Sequence, residues 1–144
     1  PPKKNFHGKP EHKIVRIIDG DTVVILKDGK EITVRLIGVD TPETVHPSKP
    51  VETYGKEASQ FLTNLLKGES VYIEYEQGSP SQDEYGRLLA YLFRAPDGLF
   101  INFEIVRQRY GHTYTKYPFQ YLDLFREYEK RAREAGKGLW EQKG

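Results

Sequence analysis

The sequence predicts an α+β protein built on a five-stranded OB-fold β-barrel with three flanking α-helices. Two Asp-Gly pairs separate β-rich segments in the first third of the chain, which is typical of consecutive hairpins. A long amphipathic segment follows, then two more β-rich segments and two shorter amphipathic ones. In a chain of 144 residues, this order suits a small closed barrel with helices packed outside it.

The first three strands are predicted to form a meander at residues 13–18, 22–26 and 32–39. Asp19-Gly20 and Asp28-Gly29 connect them. Because glycine accepts the positive φ of a type I′ turn, each pair is expected to close a tight hairpin. The end of the third strand should then lie beside the first turn.

The segment 54–67 predicts the first helix, because its apolar residues fall on one helical face. Gly68 follows it and can adopt the left-handed conformation that commonly ends a helix. Two further strands are predicted at residues 70–76 and 88–94, on either side of a polar loop.

The last two helices are predicted at residues 102–110 and 121–135. Asn102 is expected to cap the first of them, and Gly111 to stop it. The second has an aromatic and alanine stripe opposite a charged face, and Gly136 ends it.

Composition narrows the class of protein. With 37% hydrophobic and 30% charged residues, the chain should be globular, and its apolar runs are too short to span a membrane. The lack of cysteine excludes disulfides, thiolate zinc sites and cysteine nucleophiles. A net charge of only +1 means that any anionic partner must be bound locally. Residues 1–12 are interpreted as a basic flexible tail, and residues 13–144 as a single domain.

Four carboxylates are predicted to meet at one end of the barrel. Asp19 and Asp21 belong to the first turn, whereas Asp40 and Glu43 follow the third strand. Such a cluster repels itself unless a cation lies in it, and oxygen ligands suit calcium or magnesium.

Each acidic motif also has a purely structural explanation. Asp19-Gly20 is a hairpin turn, and residues 41–43 could begin a short helix. However, the turn does not need Asp21, since the second Asp-Gly pair is followed by Lys30 instead. The same Lys30 excludes an EF-hand counted from Asp19, whose twelfth position must be glutamate.

Two arginines are candidates for binding an anion. Arg35 shares a strand face with Ile37 and Val39, where it is either solvated or paired with the acids or a phosphate. The segment 83–87, DEYGR, is either a charged turn or a loop whose arginine and tyrosine reach an anion.

Taken together, these segments resemble the staphylococcal nuclease family, the thermonucleases. The resemblance extends over most of the chain, through IDGDT (18–22), RLIGVDTPET (35–44), HPSKPVETYGKEAS (46–59), DEYGRLLAY (83–91), VRQ (106–108) and GLW (138–140). It implies an OB barrel with three helices and calcium-dependent hydrolysis of DNA and RNA to 3′-phosphate ends.

The resemblance also implies roles for the acidic residues. Asp21, Asp40 and the Thr41 carbonyl correspond to the calcium ligands, with Asp19 acting through the outer shell. Glu43 corresponds to the residue that positions or deprotonates the attacking water.

The remaining implied roles concern the substrate. Arg35 and Arg87 correspond to the arginines that bind the phosphate and stabilise its charge during attack. Lys49 and Tyr85 correspond to contacts with the terminal phosphate. Tyr114 is the predicted base-stacking tyrosine, with Tyr117 as the alternative.

Departures from the family, rival functions and setting complete the prediction. Glu84 stands where a basic residue would be expected beside the substrate, and residues 109–118 diverge in the region of the stacking tyrosine.

Two rival functions make different predictions. A non-catalytic nucleic-acid-binding module should lack the catalytic residue at position 35, 43 or 87. A calcium-stabilised structural domain would not need the two arginines. The expected substrates are single-stranded DNA and RNA; we expect an exported monomer with no membrane partner.

Overall fold

The computed structural model of the protein describes residues 6–42, 55–95 and 97–137. Within these ranges the chain forms eight strands and three helices, and the long elements follow the predicted order. None of these helices is long and apolar enough to cross a membrane.

The predicted meander is confirmed, and its second turn has the predicted geometry. β1 (His12–Asp19), β2 (Thr22–Lys27) and β3 (Lys30–Leu36) pair in antiparallel order. Asp28 and Gly29 have φ of +52° and +78°, as a type I′ turn requires.

The first turn differs from this prediction. Asp19 pairs with Thr22, so the loop residues are Gly20 and Asp21, and neither has a positive φ. Gly20 is required for a different reason, because a Cβ there would lie 2.8 Å from the Ala58 Cβ and 2.9 Å from the Thr41 Oγ1. The glycine therefore permits close approach of other segments to the hairpin.

The third strand is shorter than predicted. It ends at Leu36, and Gly38 at φ +83° turns the chain into a separate short strand, β4 (Val39–Asp40). A Cβ on Gly38 would lie 2.6 Å from the Phe119 ring. The prediction that residues 35, 37 and 39 share one strand face is therefore wrong, since the regular alternation stops at this turn.

The next elements close the barrel. They are α1 (Gly55–Leu66), β5 (Ser70–Glu74) and β6 (Leu88–Ala95). β5 pairs with β1 and with β6, and β6 pairs in parallel with β3. The five long strands thus form the predicted OB-fold barrel. Tyr54, the predicted start of α1, lies outside the described residues, whereas Gly68 has the expected positive φ.

The remaining elements cover the barrel. They are β7 (Leu99–Phe100), α2 (Ile101–Arg107), β8 (His112–Thr113) and α3 (Leu122–Glu134). The core that they enclose is rich in fully buried aromatic residues, namely Tyr91, Phe93, Phe100, Phe103 and Phe125. Phe6 stacks on Tyr72 with ring centroids 4.7 Å apart, so the part of the predicted tail nearest the barrel packs against it.

Two predicted boundaries of α2 are wrong. Phe100 rather than Asn102 is the N-cap residue, and the helix ends well before Gly111. Arg109, at φ +63°, adopts the left-handed conformation after the helix. Asn102 is fully buried inside α2, where its side chain bonds to the backbone of the barrel.

Candidate functional site

The first hairpin places Asp21 against the end of β3. The Asp21 carbonyl accepts a hydrogen bond from the Leu36 N–H at 2.9 Å. This confirms the prediction that the end of the third strand lies beside the first turn. The Asp21 carboxylate is largely buried and accepts hydrogen bonds from the Thr22 hydroxyl (2.9 Å) and the Thr41 N–H (3.1 Å). Asp21 and the backbone at Thr41 are therefore held side by side.

Arg35 fastens the turn that leads to Asp40. Its Nη1 donates to the carbonyls of Leu36 and Val39, both at 2.8 Å. Its Nη2 lies 3.5 Å from Asp21 Oδ2, and its guanidinium lies over the Tyr114 ring at 5.9 Å. The side chain is only 19% exposed. Of the predicted alternatives, Arg35 is therefore not a solvated side chain: it pairs with Asp21 and also supports the local backbone.

Asp40 is presented on a small second sheet. β4 pairs with β8, so that Asp40 lies opposite His112. α3 anchors β8, because Glu129 accepts the Thr113 N–H at 2.9 Å and contacts His112 Nδ1 at 2.7 Å. Partial burial alone would raise the pKa of Glu129, but the contacts with His112 and Thr113 lower it below its usual value. The anchor is therefore an ionised carboxylate at neutral pH.

The parallel pairing of β3 and β6 brings the second arginine beside the first. Arg35 is in register with Leu89, and Arg87 precedes Leu89 by two residues. Residues in register on neighbouring strands share a side of the sheet, so Leu89 points to the same side as Arg35, and Arg87 lies directly before this strand. This pairing joins two parts of the chain that the sequence separates widely.

Both arginines line one cleft of about 780 Å³. Its walls come from the end of β3, the loop before β6 and the segment 114–119. The predicted site residues that line it are Arg35, Asp40, Arg87 and Tyr114, together with the alternative Tyr117 and the departing residue Glu84. Tyr117 is 62% exposed and Tyr114 is half-buried against Arg35, so both remain candidates for base stacking.

Three predicted residues lie beside the cleft rather than in its wall. Asp21 and Thr41 are buried: the Thr41 N–H donates to Asp21, and Asp21 contacts Arg35 in the cleft wall. Tyr85 is 76% exposed, and the Arg87 guanidinium lies 5.6 Å from its ring centroid. Glu43 and Lys49 lie outside the described residues.

The acidic residues that the structure describes do not form a complete metal site by themselves. In the described part of the chain, no three Asp, Glu or His side chains come close enough together to hold a metal ion. Asp19, Asp21 and Asp40 therefore do not make a metal site among themselves, and Glu43, the fourth member of the predicted cluster, lies outside the described residues. The donors Asp21, Asp40 and the Thr41 carbonyl are nevertheless all oxygen atoms, which is the chemistry that calcium prefers.

The structure adds one residue that contacts a predicted site residue. Asp83 begins the DEYGR segment, and its carboxylate accepts a hydrogen bond from the Arg87 Nε at 2.7 Å. The signal was present in the spacing, because an aspartate followed by glycine and arginine three and four residues later can close a loop on its own side chain.

Comparison with known proteins identifies relatives over nearly the whole chain. The family model described as staphylococcal nuclease homologue matches residues 33–142. The thermonuclease of Staphylococcus hyicus is 38% identical over 90% of this chain and 75% of its own length. The thermonuclease of Staphylococcus intermedius is 40% identical over the same shares. Endonuclease YncB of Bacillus subtilis is 34% identical over 96% of this chain and 67% of its own length.

Proposed function

This chain belongs to the staphylococcal nuclease family, and we propose that it is a calcium-dependent nuclease that hydrolyses phosphodiester bonds in single-stranded DNA and RNA, leaving 3′-phosphate ends. The observation that carries the proposal is the placement of Arg35 and Arg87 in one cleft with Asp40. Relatives whose names are thermonuclease and endonuclease support it.

The two arginines supply the electrostatic part of the proposed chemistry. Hydrolysis of a phosphodiester passes through a state with additional negative charge on the phosphate oxygens. Donors that are already fixed where this charge develops stabilise that state more than they stabilise the bound substrate. Arg35 is held by backbone carbonyls and Arg87 by Asp83, so neither guanidinium needs to be ordered when substrate binds.

The proposed metal ligands are Asp21, Asp40 and the Thr41 carbonyl, with Asp19 in the outer shell. A bound calcium ion would neutralise phosphate charge and lower the pKa of a water molecule. Asp21 already contacts the Thr41 N–H, which holds two of these donors together. Glu43 is the proposed base that orients or deprotonates the attacking water.

The substrate is proposed to extend along the cleft wall that the segment 114–119 forms. Tyr114 or Tyr117 would stack on a base, which is sequence-tolerant because every base has a π-face. Lys49 and Tyr85 would contact the terminal phosphate. Glu84 lines the same cleft, in the loop before β6, and should weaken binding of the polyanion. Export and a monomeric state stay predictions.

The test is a metal-by-substrate matrix on the purified protein. Single-stranded DNA and RNA oligonucleotides are incubated with calcium, with a chelator, and with calcium restored in excess. We expect cleavage that the chelator abolishes and calcium restores, and 3′-phosphate ends on the products. Calcium should also raise the unfolding temperature, since it binds the folded state selectively. Cleavage that continues unchanged after calcium removal would refute the metal dependence.

Variants then test the residue roles. Arg35→Ala, Arg87→Ala and Glu43→Ala should each lower kcat by about 10²- to 10³-fold, the usual effect of removing one group that stabilises a transition state. Arg16→Ala is the matched control, because Arg16 is an exposed arginine that pairs with Glu31 on the barrel away from the cleft. A folded Glu43→Ala variant with normal turnover would exclude Glu43 as the base.

A further inference from the structure

The loop before β6 is organised by one carboxylate. Asp83 Oδ1 accepts two backbone hydrogen bonds at 2.9 Å, from the N–H groups of Tyr85 and Arg87. Gly86, at φ +81°, donates its N–H to the Asp83 carbonyl at 3.1 Å. The Asp83 N–H in turn donates to the Arg87 carbonyl at 2.9 Å. The segment 83–87 is thus a closed turn whose shape depends on Oδ1.

The other oxygen of the same carboxylate has a different partner. Asp83 Oδ2 accepts a hydrogen bond from Arg87 Nε at 2.7 Å. The carboxylate is 16% exposed and the arginine 36%, so the pair is partly shielded from water. Burial alone would raise the pKa of Asp83, but the bonds from Arg87 and the backbone lower it below its usual value. The pair therefore carries opposite charges at neutral pH.

This contact fixes the direction of the Arg87 guanidinium. It uses Nε, the donor nearest the backbone, while Nη1 and Nη2 carry the remaining N–H donors of the group. Because Asp83 contacts Nε, this ion pair does not use Nη1 or Nη2, and two neighbouring N–H donors suit the bidentate binding of a phosphate. Arg87 lines the cleft, so the donors are held where the substrate phosphate is expected.

We propose that Asp83 is a positioning residue for hydrolysis, acting through Arg87. This proposal rests on the proposed nuclease function. Oδ1 shapes the loop and Oδ2 aims the guanidinium, so the two roles can be separated experimentally. Asp83→Asn does so: the amide oxygen can still accept both backbone N–H groups, whereas the amide nitrogen replaces Oδ2 and faces the N–H of Arg87.

The expected result is a selective loss of turnover. A reacting group displaced by about 1 Å can lose about a hundred-fold in rate, so kcat of Asp83→Asn should fall about ten- to a hundred-fold while KM changes little. Asp83→Asn should have no further effect in an Arg87→Ala background. Additive losses would instead mean that Asp83 acts through general loop structure, and would overturn the proposal.

The chain offers a matched control at the hairpin between β6 and β7. Asp97 binds Arg94 through both carboxylate oxygens, with Arg94 Nε at 3.1 Å from Oδ1 and Nη2 at 2.7 Å from Oδ2. Neither residue lines the cleft. Asp97→Asn disturbs a comparable ion pair and should leave kcat unchanged; normal kcat in Asp83→Asn would contradict the proposal.

A spectroscopic readout separates this proposal from the proposed function. The Nε–H proton of Arg87 should exchange slowly with solvent in the wild type and fast in Asp83→Asn, as followed by 1H–15N NMR. If the wild type cleaves neither DNA nor RNA, the proposed function has failed and the proton exchange still decides whether Asp83 holds Arg87. Equal exchange rates in both proteins would overturn the positioning role.

Discussion

Replacing Asn102 should destabilise the barrel strongly, because one side chain connects three parts of the fold. Its Oδ1 accepts the Leu92 N–H at 2.9 Å. Its Nδ2 donates to the carbonyls of Ile37 (3.0 Å) and Ala90 (3.2 Å). The side chain thus joins α2 to β6 and to the turn that leads to Asp40.

The size of the effect follows from these partners. Asn102→Ala removes the partner of the Leu92 N–H and of the Ile37 carbonyl, whereas the Ala90 carbonyl keeps its bond from the Ile37 N–H at 3.0 Å. A buried polar group left without a partner destabilises the fold by about 1–3 kcal/mol. Two such groups predict a loss of about 4 kcal/mol, a large part of the 5–15 kcal/mol typical of a domain.

The measurement is urea unfolding followed by far-UV circular dichroism. Asn64→Ala is the matched control, because Asn64 is an exposed residue of α1 that accepts a hydrogen bond from the Gln60 side chain, and it should change stability by about 0.5 kcal/mol or less. If Asn102→Ala loses less than about 1 kcal/mol, the reasoning from buried partners is wrong.

A second substitution tests the same contacts through pH. Asn102→Asp keeps an acceptor for the Leu92 N–H, but its second oxygen faces two carbonyls and bonds to them only when protonated. The folded-state pKa of the new carboxyl is therefore raised above the ordinary value of about 3.9. Relative to wild type, its stability should fall by about 1.4 kcal/mol per pH unit above pH 4, until the folded-state carboxyl ionises. A pH-independent difference from wild type would contradict the hydrogen-bond assignment.

Three further predictions concern the site and its supports. Gly29→Ala should lose about 1 kcal/mol of stability because of the positive φ at this position, and its activity should be normal. Gly20→Ala should lose about 1–3 kcal/mol of stability and also activity, because the added Cβ displaces Thr41. Unfolding and cleavage assays compare the two variants. Arg35→Lys keeps the charge but has one terminal nitrogen in place of the two that contact the carbonyls and Asp21, so urea unfolding should reveal a loss of about 2 kcal/mol in stability alongside reduced kcat. The pKa of Glu129 is lowered in the folded state, so the wild type should be more stable than Glu129→Gln above about pH 4.3, and this difference should vanish as the pH falls through the folded-state pKa. Equal unfolding curves for the two proteins at pH 7 would refute this.

The long strands could be predicted because local sequence determines them. Alternating β-rich runs and an Asp-Gly turn specify β1 to β3, and at the second turn even the φ angles agree. The short strands could not be predicted in this way. β4 and β8 have two residues each, and they exist because α3 anchors β8 through Glu129. That contact depends on the tertiary fold rather than on any local pattern.

Asn102 and Gly20 illustrate why a correct residue can receive a wrong explanation. An asparagine before an apolar run is typical of a helix cap. Here the Asn102 side chain instead bonds to backbone groups of the barrel, the Leu92 N–H and the Ile37 carbonyl. A glycine after aspartate is typical of a type I′ turn, but here it makes room for Ala58 and Thr41. In both cases the deciding contacts come from residues distant in sequence.

The site itself was predicted unevenly for the same reason. Asp21 and Arg35 could be placed together because the meander brings them together, and their 3.5 Å contact agrees with that expectation. The approach of Arg87 depends on the parallel pairing of β3 with β6, which no hairpin signal predicts. The resemblance to a known family supplied that connection.

The position of the two arginines, where β3 pairs in parallel with β6, has an energetic consequence. An arginine side chain loses about 2 kcal/mol of rotamer entropy when it is fixed, and a site that fixes it before substrate arrives avoids that loss during the reaction. Arg35 is fixed by carbonyls of its own turn, and Arg87 by the carboxylate of Asp83. The strand register then sets the spacing between the two guanidiniums, because Arg35 pairs with Leu89 on the strand that Arg87 precedes. The β3–β6 pairing and the closed turn 83–87, rather than a bound substrate, thus set where the two guanidiniums lie in the cleft, and Asp21 and Asp83 each place one carboxylate beside one of them.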